Sequence, residues 1–411
     1  MQFKIQDNIS VCLKQIVYGR LWEDNMAIYF DNSATTRVDP EVVKAMLPFF
    51  SEYYGNISSI HLIGRQVHPY EEQARKSVAK LINASPDEIV FTASGSESDN
   101  LAIIAAARAY KHKGKHIITS SIEHKAVLET FKFLENYEGF EVTYLPVDKY
   151  GLIDMDYYKN AVRDDTILVS CMLANNEIGT IEPVKEMAAF ANSKGIIFHT
   201  DAVQAAGKIH IDVNELGIDL LTFSGHKIYA PKGIGVLYVD IELREKLKPI
   251  IHGGQQERGL RAGTENIPYI IGLGKACDII MERQDTEILH IKKLRDTFEK
   301  KVLENIPDTY VNGHHRLRVP SISDIVFRYI EGEALMVYAQ EVCCSAGSAC
   351  TSAATNPSHV LSAIKVNDVD IHGALRFSFG RFNTMEEVNR AVEVLKDSVE
   401  KLRKMSPLYN K

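Results

Sequence analysis

Cysteine is scarce in this chain: six among 411 residues, none in paired CxxC spacing, so no disulfide framework organises the fold and most of the thiols are read as reduced. Long apolar runs are missing too. None reaches the roughly 18 residues that a membrane-spanning helix requires. Charge of one sign is not in excess either, and a formal net charge of -7 gives no field to hold nucleic acid or an anionic membrane. A signal peptide is likewise not recognisable, because Lys4, Asp7, Lys14, Arg20, Glu23 and Asp24 interrupt each apolar run of residues 1–27. That stretch is read as an N-terminal extension. Met26 is expected to be the true start, since strand-like Ala27–Phe30 follows at once and Trp22–Asp24 permits a purine-rich, ribosome-binding-like message. The absences leave a globular chain expected in the cytoplasm, 45% hydrophobic and 25% charged, long enough for a large domain and a smaller one.

What is there centres on Leu220–Val239, where an apolar run stops at Ser-Gly-His-Lys and a second apolar run follows. Lys227 is the only charged residue between Asp219 and Lys232, so it is expected to leave a buried strand end and enter a cleft. A partly desolvated lysine loses its proton readily and attacks carbonyls. A solvated loop lysine is the plain alternative, and the neighbours argue against it: Gly225 permits close backbone approach, while Ser224 and His226 offer hydrogen bonds.

Asp39-Pro40 reads as a helix N-cap with proline at the first helical position, opening a helix through Phe50. Val67, Tyr70, Ala74, Val78 and Leu81 recur at helical spacing and read as a core stripe. Apolar runs at Glu88–Thr92, His116–Ser120, Thr166–Leu173 and Ile196–His199 alternate with helical stretches, which predicts an α/β fold with a mostly parallel sheet covered on both faces.

Ligands of such sheets bind beyond the carboxyl ends of the strands, and here those ends are polar. Ser94 to Asn100 should open a helix over Leu101–Tyr110, with Gly95 and its hydroxyl neighbours either a phosphate cradle or a plain cap. His124 follows the next strand and Asn176 the one after; Asp201 ends the fourth, where a buried carboxylate needs a cationic partner. A lysine for a Schiff base, a carboxylate for a pyridinium nitrogen, a flat imidazole and a helix terminus for phosphate are together what pyridoxal phosphate needs.

The stretches DNSATT, GNISSIH, SGSESDN, IEHKAV, NNEIGT, TDAVQAAGK, SGHKIYAPKGIG, GLRAGTEN, SAGSACTSA and LRFSFGRFN closely resemble cysteine desulfurases of the NifS and IscS type, within the class V aminotransferases, from Tyr29 to about Val394. The resemblance implies the type I pyridoxal-phosphate fold: a large cofactor-binding domain (28–265) with a central mixed sheet, and a smaller α+β C-terminal domain (266–411). It also implies a homodimer. Lys227 becomes the Schiff-base lysine, Asp201 the partner of the ring nitrogen, and His124 the stacking group and a proton carrier. Gln204 and Asn176 face the ring oxygen, Asn176 also the substrate. Gly95, Ser96, Ser224 and His226 hold the phosphate with Thr264 of the other subunit; Ser96 stands where relatives commonly have threonine. Arg376 takes the carboxylate of L-cysteine, a bidentate task that suits its planar fork.

Cys350 matches the nucleophile: its thiolate attacks the substrate sulfur after Lys227 takes the α-proton, leaving alanine and a Cys350 persulfide. The acceptor implied is an iron-sulfur scaffold, a tRNA-thiolating enzyme or a nitrogenase-maturation partner, and Cys350 is the one metal-ligand expectation, a transient iron-sulfur ligand shared with a scaffold. Cys343 and Cys344 are buried strand residues or resolving thiols. Two rivals are a selenocysteine lyase or other β-lyase of the same fold, and an iron-sulfur scaffold using Cys343, Cys344 and Cys350, which would leave Lys227 and Asp201 unexplained.

Overall fold

The computed structural model describes residues 27–346 and 357–409, so the Met26 start and Cys350 lie outside the described residues. After a short β1 (Ile28–Tyr29), strands β2 (Ile89–Thr92), β3 (His116–Ser120), β4 (Glu141–Leu145), β5 (Thr166–Ser170), β6 (Ile197–Asp201), β7 (Leu220–Ser224) and β8 (Gly235–Val239) follow. The last seven form one sheet in the order β2-β8-β7-β6-β5-β3-β4. Only β8 runs antiparallel to its neighbours. Every residue of β2, β3, β5, β6, β7 and β8 is buried, as continuous apolar runs covered on both faces require. Edge strand β4 is largely half-exposed and mixes Glu141 and Thr143 with its apolar residues, which is why its pattern did not stand out. The run expected over Thr166–Leu173 leaves the sheet at Ser170, although Cys171 N and Leu173 N still donate to His199 O and Asp201 O at 3.1 and 2.8 Å.

Helix α1 (Pro40–Met46) starts at Asp39, whose carboxylate accepts from Glu41 N at 2.9 Å. It does not continue to Phe50: Pro48 supplies no N–H, and Pro48–Ser51 forms a separate turn. Helix α2 (Leu62–Leu81) buries Val67, Ala74 and Val78, whereas Tyr70 is 42% exposed and packs with Phe49 and Tyr53 at 5.1 Å. Helix α3 (Gly95–Tyr110) begins six residues before Leu101, because the Ser94 hydroxyl accepts from Glu97 N and caps it there. Helix α4 (Lys125–Glu138) is capped by His124 and closed by Gly139 in the left-handed region at φ 71.

The second part of the fold has its own sheet: β9 (Thr309–Asn312), β10 (Ile322–Phe327), β12 (Ser345–Ala346) and β13 (Ala374–Ser378), antiparallel in the order β12-β13-β10-β9. Strand β1 pairs in parallel with β11 (Val342–Cys343), so the first described residues sit with the C-terminal segment. Phe30, Phe298, Phe377 and Phe379 form the centre of this second core. Cys343 ends β11; Cys344 beside it is 7% exposed, and burial pushes its thiol up to about 12.

Helix α5 (Ile267–Asn305), 39 residues long, joins the two halves: Ile270, Leu273, Ala276 and Ile280 belong to the core under the large sheet, and Ile291, Leu294, Phe298 and Val302 to the second. The last helix, α6 (Met385–Met405), opens on a capping box between Thr384 and Glu387 and packs on the second core. Among the described residues no helix is long and apolar enough to cross a membrane.

Candidate active site

The carboxyl ends of β5, β6 and β7, with the turns after β2 and β3, surround a cleft of about 410 Å³. Its lining includes Gly95, Ser96, His124, Asn176, Asp201, Gln204, Ser224, His226, Lys227 and Arg376. Thr264, exposed and next to Gly263, does not line it. Asp31, Ser33, Ala34, Asp99 and Ser345 also line the cleft, and no role had been read for them from the sequence. At the start of α3, a Cβ on Gly95 would press on Val203 Cγ2 at 3.0 Å and touch Ser224 Cβ at 3.4 Å, so glycine lets the helix terminus sit close against the segment that follows β6.

Lys227 sits on the 3-10 turn after β7, and its Nζ donates to Ser33 O at 2.5 Å and Ala34 O at 2.7 Å. Asp201, the last residue of β6, is 4% exposed; its Oδ1 accepts from Val203 N at 2.8 Å. Burial pushes this carboxyl up to about 6, with Lys227 opposing the shift. Asp99 is also buried, its Oδ1 3.6 Å from His199 Nε2; burial first, then the Asp201 charge, hold it well above the usual carboxylate range. Burial takes His199 the other way, to about 3, so it stays neutral. At about 6, Asp201 is ionised at neutral pH beside a neutral His199. A protonated ring nitrogen is the partner such a buried anion calls for, so the donor set fits pyridoxal phosphate.

His124 accepts from Ala126 N through Nδ1 at 3.1 Å, which leaves the ring proton on Nε2. Burial, then Lys227 and Lys125, lower its pKa to about 4. A neutral imidazole so held can donate from Nε2 and has no free lone pair with which to accept. His226 is lowered to about 4 in the same way, by burial and then Lys227, and its Nδ1 lies 3.2 Å from Thr35 Oγ1.

Arg376 reaches the cleft from β13, the centre of the small sheet. It is 7% exposed; Nη1 donates to Asn176 O at 2.9 Å and Nη2 to Asp31 Oδ1 at 3.1 Å. Its Nε and the Asn176 Oδ1 are buried without a hydrogen-bond partner among the described residues, two polar atoms left over for a ligand.

The Aminotransferase class-V family matches residues 28–391. The chain belongs to that family. A curated relative named cysteine desulfurase IscS, from Methanosarcina thermophila, is 52% identical over 390 residues, 94% of this chain and 96% of that one. A solved structure titled NifS-like protein superposes with a TM-score of 0.86 at 36% identity, covering 92% of this chain and all (100%) of that one. Another, SspA in complex with cysteine, gives 0.76 at 37% identity over 87% and 99% of the two chains. With such neighbours, the mostly parallel sheet and its covering helices are the type I fold of pyridoxal-phosphate enzymes.

The expected iron-sulfur ligation by Cys350 lies outside the described residues, and among those described no cluster of three His, Cys, Asp or Glu could hold a metal ion.

Proposed function

We infer that this protein is a pyridoxal-phosphate-dependent cysteine desulfurase, converting L-cysteine to L-alanine and passing the sulfur to an acceptor. The observation that carries the residue assignment is the convergence of Lys227, Asp201, His124 and Arg376 on one cleft. Pyridoxal phosphate, when bound, supplies an electron sink for the pair left at the substrate's α-carbon.

The chain's own residues do the rest. Lys227 holds the cofactor through its amine and, once released by the substrate, takes the α-proton. Asp201 keeps the ring nitrogen protonated, while neutral His199 beside it adds no competing charge. His124 stacks on the ring and donates from Nε2. Gln204 and Asn176 face the ring oxygen; Gly95, Ser96, Ser224 and His226 surround the phosphate at the positive end of α3. Arg376 exchanges Asp31 for the substrate carboxylate, and Asn176 lies beside it. The Cys350 thiolate attacks the substrate sulfur: a sulfur-sulfur bond forms, the carbon-sulfur bond breaks, and protonation of the carbon skeleton releases alanine.

Thr264, exposed and outside its own cleft, completes the phosphate site of a second copy in a homodimer. The cofactor-holding unit, expected to end near residue 265, shares α5 with the smaller unit that carries the Cys350 segment. Four described cysteines are free, in keeping with a reducing cytoplasm. The acceptor is an iron-sulfur scaffold or a tRNA-thiolating enzyme. Single-turnover mass spectrometry with L-cysteine is the test: Cys350 should gain about 32 Da, one sulfur, while alanine appears in equal amount. Cys350→Ser should yield neither, and alanine release by that variant would refute the assignment.

A further inference from the structure

The segment after β6 contains a buried lysine that the reaction above does not use. Ala205 N and Ala206 N donate to Ala202 O at 2.9 Å, and Ile209 N to Ala205 O at 3.0 Å, so residues 202–209 coil as helical turns. Four-residue spacing then puts Gln204 and Lys208 on one face. Gly207 fixes where the second turn ends: its φ is +71, and a Cβ there would lie 2.9 Å from Ile280 Cδ1 of α5. Lys208 is consequently 9% exposed, and its Nζ donates to Gln204 Oε1 at 2.7 Å.

At the other end of the same amide, Gln204 Nε2 donates to Ser33 O at 3.0 Å. Ser33 O can only accept, so the amide nitrogen must face it and the oxygen must face the lysine. Burial, then Lys227 and Arg376, lower the Lys208 pKa to about 7, and ammonium and amine alike keep an N–H for Oε1. Because Ser33 O also accepts from Lys227, the links run Lys208, Gln204, Ser33, Lys227.

We propose that Lys208 is a positioning residue for the cofactor: by holding Gln204 Oε1 it locks the amide so that the second Nε2 hydrogen stays available to the cofactor's ring oxygen. This rests on the reading that Gln204 faces that oxygen. Without Lys208, Gln204 can turn over or swing into the vacated space, and the donor is lost without any change in the residue that carries it.

Full-length holoenzymes of Lys208→Met, Lys208→Arg, Gln204→Met and the Lys208→Met/Gln204→Met pair would be compared by equilibrium dialysis of pyridoxal phosphate and by the visible absorption band of the bound cofactor. Losing one neutral hydrogen bond predicts about fivefold weaker retention in Lys208→Met. Its band should be displaced as in Gln204→Met, Lys208→Arg should restore both, and the pair should be no worse than Gln204→Met alone. An unmoved band in Lys208→Met beside a moved band in Gln204→Met, or additive losses in the pair, overturns the role of Lys208 and leaves that of Gln204 standing. If Gln204→Met changes neither readout, the ring-oxygen reading falls and takes this proposal with it. Should Lys208→Met fail to fold, Lys208→Leu is the second donorless variant, judged by the same two readouts.

Discussion

The two walls of the cleft are built differently. On the large-sheet side, Asp201, His124 and Gln204 are each held by fixed backbone or buried partners: Val203 N, Ala126 N, and Ser33 O with Lys208. On the small-sheet side, Arg376 is held partly by Asp31, a side chain that a substrate carboxylate can replace, and its Nε is left over. A wall that keeps its hydrogen bonds whether or not a ligand is present suits a resident cofactor. A wall whose arginine must exchange one carboxylate for another suits a molecule that comes and goes.

That contrast can be broken, most sharply on the cofactor side. Lys227→Ala should lower alanine formation by about a thousandfold or more, since it removes both the holding amine and the base. Retention of even a tenth of the wild-type rate would mean that another group holds the cofactor. Asp201→Asn should follow, with kcat down by about a hundredfold to a thousandfold, the size of one preorganised electrostatic group, and KM for L-cysteine little changed. A kcat within threefold of wild type would remove the ring-nitrogen role.

The substrate side predicts the opposite split. Arg376→Lys keeps the charge but not the fork, and kcat/KM for L-cysteine should fall about tenfold to a hundredfold, mainly through KM. An effect confined to kcat would place Arg376 with the cofactor instead. Smallest of all, Asp31→Asn removes the competing carboxylate; the pair is only 8% and 18% exposed, so desolvation offsets much of its attraction and KM should drop by up to about fivefold with kcat unchanged. A rise in KM would show that Asp31 positions Arg376 rather than competes for it.

These two walls were also unequally legible in the sequence. The large-sheet wall is written in local pattern: an apolar run, then a polar turn, repeated at Ser94, His124, Asn176, Asp201 and Ser224. The hydrogen bonds that hold Asp201, His124 and Lys208 are local, to Val203 N, Ala126 N and Gln204 Oε1, although Gln204 and Lys227 also reach back to Ser33 O. The small-sheet wall depends on pairings across the chain, such as β1 with β11 and Asp31 with Arg376, 345 positions apart. No local period displays those, so Arg376 came from the resemblance and Asp31 did not come at all. Lys208 fell between the cases: the motif TDAVQAAGK was visible, but only the coiling of residues 202–209 turns a four-residue spacing into a contact. Helix ends failed for smaller reasons, a missing N–H at Pro48 and an early cap at Ser94.

Helix α5 has a consequence for how the protein comes apart. At 1.5 Å per residue its 39 residues make a rod of about 58 Å, rooted in one core at Leu273 and in the other at Phe298. Melting either core strips the packing from half of a continuous backbone ladder, and a helix half without its apolar face is marginal in water. Heat should therefore dismantle both cores in one transition, and a scanning calorimeter should record a single peak whose van't Hoff enthalpy approaches the calorimetric one.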